Sequence, residues 1–429
     1  MFHLAKSLMR FPITVSLYGM KQLADAVVPS TATKPVEDIL MRAEAQLSRL
    51  MRETFKTGDR LTVETIDPML ALMTQDGLQS GHMIKTGFDL MRGLTEMFGT
   101  HLPGIDHGLA WREFTNKLES FGTFRYVDSV LNIPPQSDAP LCVLIEKAAG
   151  LDPYLSVWAT EGIGHYVTER AWQTGEPHAL LTTECLPNHS AVALHAGMGL
   201  SLAKRCFATL TPSSPTGQLD DTLRRFADLC AQNAQPGCFG IAFEALGLVA
   251  QTFMPELRLR FDRQITTMNP DWLDFFWHGV GRGAYFVPRS SVSWRAGALM
   301  PLRPPHDLAR ENVISGLAWP LALVNIRHPE IVAQFVTRHG NKLEESAAFA
   351  HGIAAALVVW TQATGGDPYF DGFAKHIPCS ANKALVRRWQ ALIHNSIQEA
   401  SRYAPDIRQH GQLEQLFRNQ PLNLIATSF

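Results

Sequence analysis

His278-Gly-Val-Gly281 has a residue pattern that recurs along the chain, and this recurrence is the basis for predicting the fold. In each copy a variable residue is followed by a small, an apolar and a second small residue, and then by an apolar run. The six copies are Glu161-Gly-Ile-Gly164, Ala196-Gly-Met-Gly199, Glu244-Ala-Leu-Gly247, His278-Gly-Val-Gly281, Ser315-Gly-Leu-Ala318 and His351-Gly-Ile-Ala354. Their first small residues stand at 162, 197, 245, 279, 316 and 352, so the spacings are 35, 48, 34, 37 and 36. A period near 36 is the length of one helical hairpin.

Glycine inside a helix costs about 1 kcal/mol relative to alanine, so its recurrence needs a physical reason. A helix that lacks side chains at one point lets a neighbouring backbone come close. We therefore predict an all-α protein, with an N-terminal helical region over 1–140 and about six helical-hairpin repeats over 141–429. These repeats form either a closed α/α toroid or an open, curved solenoid. Chance recurrence of glycine-rich apolar stretches is the alternative.

The first half of the chain carries its own helical patterns. Apolar residues in Val36–Lys56 recur at the spacing of one helix face, and shorter helical runs are predicted over 67–73 and 87–98. The proline-rich stretch Pro134–Pro140 marks the predicted boundary between the two regions.

Composition limits the class of protein. The 429 residues include 38 basic and 40 acidic side chains, a net charge of −2, which argues against a nucleic-acid partner held by bulk charge. The six cysteines form no C-x-x-C pair, so we predict reduced thiols in a cytoplasmic protein. No apolar run reaches the roughly 18 residues of a membrane span. Residues 1–23 fit either a helix docked on the core or a peripheral contact with the inner membrane.

The residues that precede the small residues are the candidates for chemistry. If the copies are equivalent, Glu161, Glu244, His278 and His351 point the same way and converge in a closed ring. His165 shares the helix face of Glu161 and adds a fifth ligand. Two carboxylates with imidazoles suit zinc or non-haem iron, which would make the protein a metal-dependent oxidoreductase. Capping or a bond to a carbonyl group is the alternative for each side chain.

The stretch around 278–286 adds further candidates. Its glycines do not match a dinucleotide fingerprint, because the third comes too early and no strand precedes it. Arg282 pairs either with a carboxylate of the protein or with an anionic ligand. The predicted catalytic set without a metal is Glu161, Glu244, His278 and Arg282. Aromatic residues cluster around the copies and either fill the core or line a cavity for a long, flat, hydrophobic ligand. The residues predicted to bind such a substrate are Trp158, Trp277, Tyr285, Phe286 and Trp319.

The succession of blocks resembles a bacterial family of unknown function encoded beside enediyne polyketide synthases. The resemblance covers about 150–360 and rests on Glu161-Gly-Ile-Gly, His195-Ala-Gly-Met-Gly-Leu-Ser-Leu-Ala-Lys204, Trp277-His-Gly-Val-Gly-Arg-Gly-Ala-Tyr-Phe286 and Ser315-Gly-Leu-Ala. Gly164-His165 stands where the family block has Met-Gly, and the third block reads Phe243-Glu-Ala-Leu-Gly247. The resemblance implies a role in bacterial secondary metabolism, on a polyene or polyketide intermediate.

Two functions follow as expectations. The first is a biosynthetic tailoring enzyme, or its essential accessory, that acts on a long hydrophobic chain, either free or carrier-bound, together with other biosynthetic proteins. The second is a non-enzymatic helical-repeat scaffold that binds a protein or a lipid. Convergence of the four residues before the small residues favours the enzyme, and their divergence favours the scaffold.

Overall fold

A computed structural model of the chain describes residues 105–134, 139–182, 186–286, 303–378, 381–411 and 413–427. These residues form helices and connecting turns without any β-strand, so the predicted all-α class is confirmed for this part of the chain. The chain divides into two compact units, of which the structure describes 105–115 in the smaller and the residues from 116 onward in the larger. No helix in the described ranges is long and apolar enough to cross a bilayer.

The helices of the described ranges are numbered in chain order. They are α1 (Ile105–Arg125), α2 (Val127–Val130), α3 (Leu141–Ala149), α4 (Pro153–Thr174), α5 (Ala191–Phe207), α6 (Thr216–Asn233), α7 (Phe239–Phe253), α8 (Arg258–Met268), α9 (Leu273–Phe286), α10 (Asp307–Val324), α11 (Pro329–Leu343), α12 (Ala348–Thr364), α13 (Pro368–Lys375), α14 (Lys383–Trp389), α15 (Asn395–His410) and α16 (Leu422–Thr427). A π-helical turn, Gln390–His394, joins α14 to α15.

Several sequence expectations concern other parts of the chain. The predicted helices over 36–56, 67–73 and 87–98 and the predicted membrane contact of residues 1–23 lie outside the described residues. The domain boundary predicted after residue 140 stays a prediction.

The six copies of the glycine pattern lie on six helices, α4, α5, α7, α9, α10 and α12, and each of these packs against the next. The contacts are made through the glycines. A Cβ atom on Gly197 would overlap the carbonyl oxygen of Glu161, and one on Gly279 would overlap that of Glu244. Gly316 meets the backbone of His278 in the same way. The missing side chains therefore allow the main chains of neighbouring helices to touch.

Two neighbouring helices of this row, α9 and α10, run in the same direction. Near the start of α9 and α10, the amide of Asn312 donates to Asp274 at 2.7 Å. At the other end of the pair, the amide of Asn325 donates to the hydroxyl of Tyr285 at 2.8 Å. The N-terminal parts of the two helices contact each other, and so do their C-terminal parts, so the two helices are parallel. The variable residues of these two copies therefore lie at similar levels along the helix axes.

The last helix of the row also contacts the first. The rings of Tyr154 on α4 and Trp360 on α12 have centroids 6.4 Å apart. The hydroxyl of Tyr369, just after α12, donates to Asp152 at 2.6 Å, at the start of α4. These contacts join the two ends of the row. The repeat architecture and its closure into a toroid stay predictions.

Gly197→Ala should destabilise the protein by roughly 1–3 kcal/mol, because the added methyl group must push α4 and α5 apart. Gly217→Ala is the matched control, since it lies in α6 and an added Cβ would meet no atom within 4 Å. The control should be neutral or stabilising by up to about 1 kcal/mol. Thermal unfolding of both variants measures the difference. Equal melting temperatures for the two variants would contradict the close approach of the backbones.

Candidate functional site

Four of the residues predicted from the sequence meet in one buried network. Arg282 on α9 donates through Nη1 to Oε2 of Glu244 on α7 at 3.1 Å. Its Nη2 donates to Oε1 of Glu161 on α4. Nδ1 of His278, one turn before Arg282, lies 3.1 Å from Oε1 of Glu244. The predicted set Glu161, Glu244, His278 and Arg282 therefore forms one continuous chain of polar contacts between three helices.

The burial of this network determines its electrostatics. Glu244 and His278 are fully buried, and Glu161 and Arg282 are 6% and 3% exposed. Burial raises the pKa of Glu161 above its ordinary value, although the neighbouring guanidinium group opposes the rise. Burial also disfavours the charged guanidinium, but Glu161 and Glu244 outweigh that effect and raise the pKa of Arg282. Two carboxyl groups share one guanidinium, so the network carries one excess negative charge when both of them are ionised and His278 is neutral.

One ring nitrogen of His278 has no hydrogen-bond partner among the described residues. Because its Nδ1 faces the carboxylate of Glu244, we assign the proton to Nδ1 and the lone pair to Nε2. Nε2 is the buried atom that lacks a partner. The hydroxyl of Ser315, on the neighbouring helix α10, is also buried and has no partner in the same ranges. Two buried polar groups in this region therefore have incomplete hydrogen bonding.

A small cavity adjoins the network. Its volume is about 20 Å³, enough for about one water-sized group. Glu161 lies in its wall, together with the indole rings of Trp158 and Trp319. Trp319 also packs against the guanidinium of Arg282 at 5.5 Å. The remaining wall is mostly aliphatic and comprises Val157, Val192, Ala193, Ala196, Leu323, Val359 and Ala363, with His189 and Gln362 as its other polar members. A cavity of this size accepts the end of a hydrophobic chain and not its whole length.

Two of the five predicted metal ligands lie away from the network. His165 faces Glu169 at 3.9 Å and packs against Phe124, and burial lowers its pKa to about 3. Nδ1 of His351 lies 3.0 Å from the side-chain oxygen of Asn419. Within the described ranges, no three His, Cys, Asp or Glu side chains are placed to hold one metal ion.

Between Glu161 and Glu244, the positive charge is supplied by Arg282. The structure therefore does not bring the five predicted ligands to one point, and an iron or zinc cofactor stays a prediction.

The predicted substrate-binding aromatics separate into two groups. Trp158 and Trp319 line the cavity. Trp277 lies elsewhere, because its indole nitrogen donates to Asp262 at 2.7 Å on the outer side of α9. Tyr285 is fully buried and accepts the bond from Asn325, and Phe286 packs against its ring. These three residues belong to the packing between helices and do not reach the cavity.

A C-terminal segment, residues 413–420, covers the starts of several helices of the row. We call it the strap. The backbone nitrogen of Gly240, at the start of α7, donates to Glu414 at 2.8 Å. Arg418 contacts Asp274 at the start of α9 at 3.1 Å. The strap therefore covers the N-terminal ends of these helices.

Phe417 of the strap inserts into the interior next to the network. Its ring centroid is 5.4 Å from that of His278 and 5.3 Å from that of Trp319. The side chain is fully buried. Solvent is thus excluded from His278 on this side.

Sequence reasoning missed two residues of the site, Phe417 and Gln362. Phe417 lies outside the six copies, and no local pattern marks it. Gln362 had a usable signal, because it is a polar residue in the long apolar stretch of α12. A buried side-chain amide needs hydrogen-bond partners for its nitrogen and its oxygen, and the oxygen of Gln362 has none among the described residues.

Comparisons with protein-family models, with curated proteins and with solved structures found no match. A functional assignment therefore depends on the geometry of the site and on the sequence resemblance.

Arg282→Met should destabilise the protein by about 3–5 kcal/mol, because Glu161 and Glu244 then face each other without a buried counter-charge. The loss should depend on pH. Glu161 has a raised pKa in the folded state, so its contribution to stability is present below the unfolded value of about 4.5 and is lost as the pH rises through the folded value. The defect of the variant should therefore be smaller at pH 5 than at pH 8, as measured by denaturant unfolding.

Arg225→Met provides the control for this experiment. Arg225 pairs with Glu176, and the two side chains are 57% and 52% exposed, so its loss should cost less than about 1 kcal/mol. Equal, pH-independent losses in the two variants would contradict the role of Arg282 as a buried counter-charge.

Proposed function

We propose that the protein is a tailoring enzyme of bacterial secondary metabolism that acts on a hydrophobic polyene or polyketide-type intermediate by proton transfer. One observation carries the proposal. A carboxylate from a buried four-residue network, Glu161, lies in the wall of an otherwise apolar cavity. The class of pathway follows from the sequence resemblance over 150–360 and from no other source.

Glu161 is the residue placed to give or take the proton. A carboxyl group whose pKa is raised by burial keeps a proton closer to neutral pH, which suits general acid–base work. Arg282 holds Oε1 of Glu161 and so orients the carboxyl group. In this proposal the end of an unsaturated chain enters between Trp158 and Trp319. The carboxyl group of Glu161 then donates its proton to one end of a conjugated double-bond system, and the resulting carboxylate removes a proton from the carbon at the other end, so that the double bonds shift and Glu161 regains its proton.

The rest of the network positions and balances this group. Glu244 accepts a hydrogen bond from Arg282 and contacts His278. A change of charge at Glu161 therefore alters the electrostatic environment of Glu244 and His278. The proposal uses proton transfer alone and derives no step through a metal, because the predicted ligands do not come together at one point.

Replacing the gene in its native host with the Glu161→Gln allele tests the proposal. Glutamine keeps the shape of the side chain but cannot exchange a proton at this position. We expect the late hydrophobic product to disappear and its precursor to accumulate, as in a deletion strain, when extracts are compared by mass spectrometry.

Glu169→Gln is the matched control, since Glu169 is a buried carboxylate on the same helix that pairs with Ser201 and Arg205 outside the cavity. That strain should keep the normal product. A normal product in the Glu161→Gln strain, with loss of product only on deletion, would reject the enzyme and favour the scaffold that binds a protein or lipid.

A further inference from the structure

The cavity beside Glu161 has the features of a site for a positively charged end group. We propose that it binds the ammonium group of a hydrophobic amine, whose apolar part lies against Trp158 and Trp319. As a statement about the class of substrate, this inference rests on the proposed function. The site itself is argued from the polar atoms, the charge and the shape of the cavity.

Gln362 supplies an unused acceptor. The side chain is 6% exposed and lies in the wall of the cavity. Its Nε2 donates to the carbonyl oxygen of Asn188 at 2.9 Å, which fixes the orientation of the amide because the reverse would place two oxygens together. Oε1 is then an acceptor, and it is buried without a partner. A buried acceptor in this state is stabilised by a ligand that donates a hydrogen bond.

Charge selects a cation among the possible donors. The network behind Glu161 has two carboxylates for one guanidinium, and Glu161 is the member that reaches the cavity. The other titratable group in the wall is His189, which is exposed to solvent at the rim. With both carboxyl groups ionised, an ammonium group next to Glu161 would bring the buried charge to zero. A carboxylate ligand would add a second negative charge in a region of low dielectric constant.

The walls and the volume fit an ammonium group at the end of an apolar chain. Indole rings attract cations, and Trp319 already does so with Arg282. A volume of about 20 Å³ accepts one such end group, while the chain extends towards the exposed His189. Among the described residues, the indole nitrogens of Trp158 and Trp319 have no hydrogen-bond partner, so a hydroxyl end group can both donate and accept here. An alcohol is therefore the proper competitor for the test.

The test measures binding of three probes to the purified full chain by titration calorimetry and by tryptophan fluorescence at pH 7. Hexylammonium, 1-hexanol and hexanoate share one chain and differ only in the end group. We expect hexylammonium to bind at least about tenfold more tightly than 1-hexanol, since a charge-assisted hydrogen bond is stronger than a neutral one. Hexanoate should not bind. Equal binding of the amine and the alcohol, or no binding of the amine, would overturn the proposal.

Variants locate the binding on the chain. Glu161→Gln should weaken hexylammonium about tenfold or more and leave 1-hexanol unchanged. Gln362→Met should also weaken the amine, because it removes the acceptor at similar volume. Glu169→Gln should change neither probe. Amine binding that is unaffected by both cavity substitutions would show that the amine binds elsewhere, and would reject this site.

The two proposals can fail separately. Amine binding that depends on Glu161, together with a normal metabolite pattern in the Glu161→Gln strain, would keep the ammonium site and reject the enzyme. A metabolite defect in that strain without amine binding by the wild-type protein would keep the enzyme and reject the ammonium group as the feature of its substrate.

Discussion

The guanidinium group of Arg282 is the contact on which the interior of this protein depends. It lies between carboxylates from α4 and α7 and belongs to α9, so one side chain joins three helices of the row. Two buried carboxylates without a counter-charge would repel each other and would each lose their hydration. With Arg282 in place, polar groups can occupy a region that is otherwise packed with aromatic and aliphatic side chains.

Such a network can form only because the helices are unusually close. The glycines of the six copies bring main chains into contact, and this shortens the distance that a side chain must span to reach a neighbouring helix. Because α9 and α10 run in parallel, equivalent residues stand at similar heights. A glycine that follows a variable residue, such as Gly279 or Gly316, therefore serves two purposes. It sets the separation of the helices, and it places the side chain next to it at the interface.

The sequence predicted the helical class, the six helices that carry the glycine pattern, and four residues of the network, because these all follow from one periodic signal. It did not predict that His351 would be separate. Position 351 is equivalent to position 278 in the pattern, but the C-terminal strap contacts α12 at this point and Asn419 binds the imidazole. Phe417 could not be predicted for a related reason, since a contact between residues 278 and 417 leaves no local trace in either stretch.

The aromatic residues show a further limit. Trp277 and Trp319 are both tryptophans in apolar helices, and only their position around the helix axis decides that one binds Asp262 and the other lines the cavity.

The direction from which the network can be reached follows from the same contacts. Phe417 covers His278 at the end of the row where the strap lies, and the fully buried Glu244 stands behind Arg282. Glu161 alone meets the cavity, whose rim includes the exposed His189. A molecule that enters there meets Glu161, two indole rings and the side chain of Gln362, while the remaining charges stay behind Glu161. The excess negative charge of the network is thus presented at a single point. This asymmetry, more than the number of acidic or basic residues, distinguishes the cavity from an ordinary packing defect, which would be lined by apolar groups and would leave no acceptor unpaired.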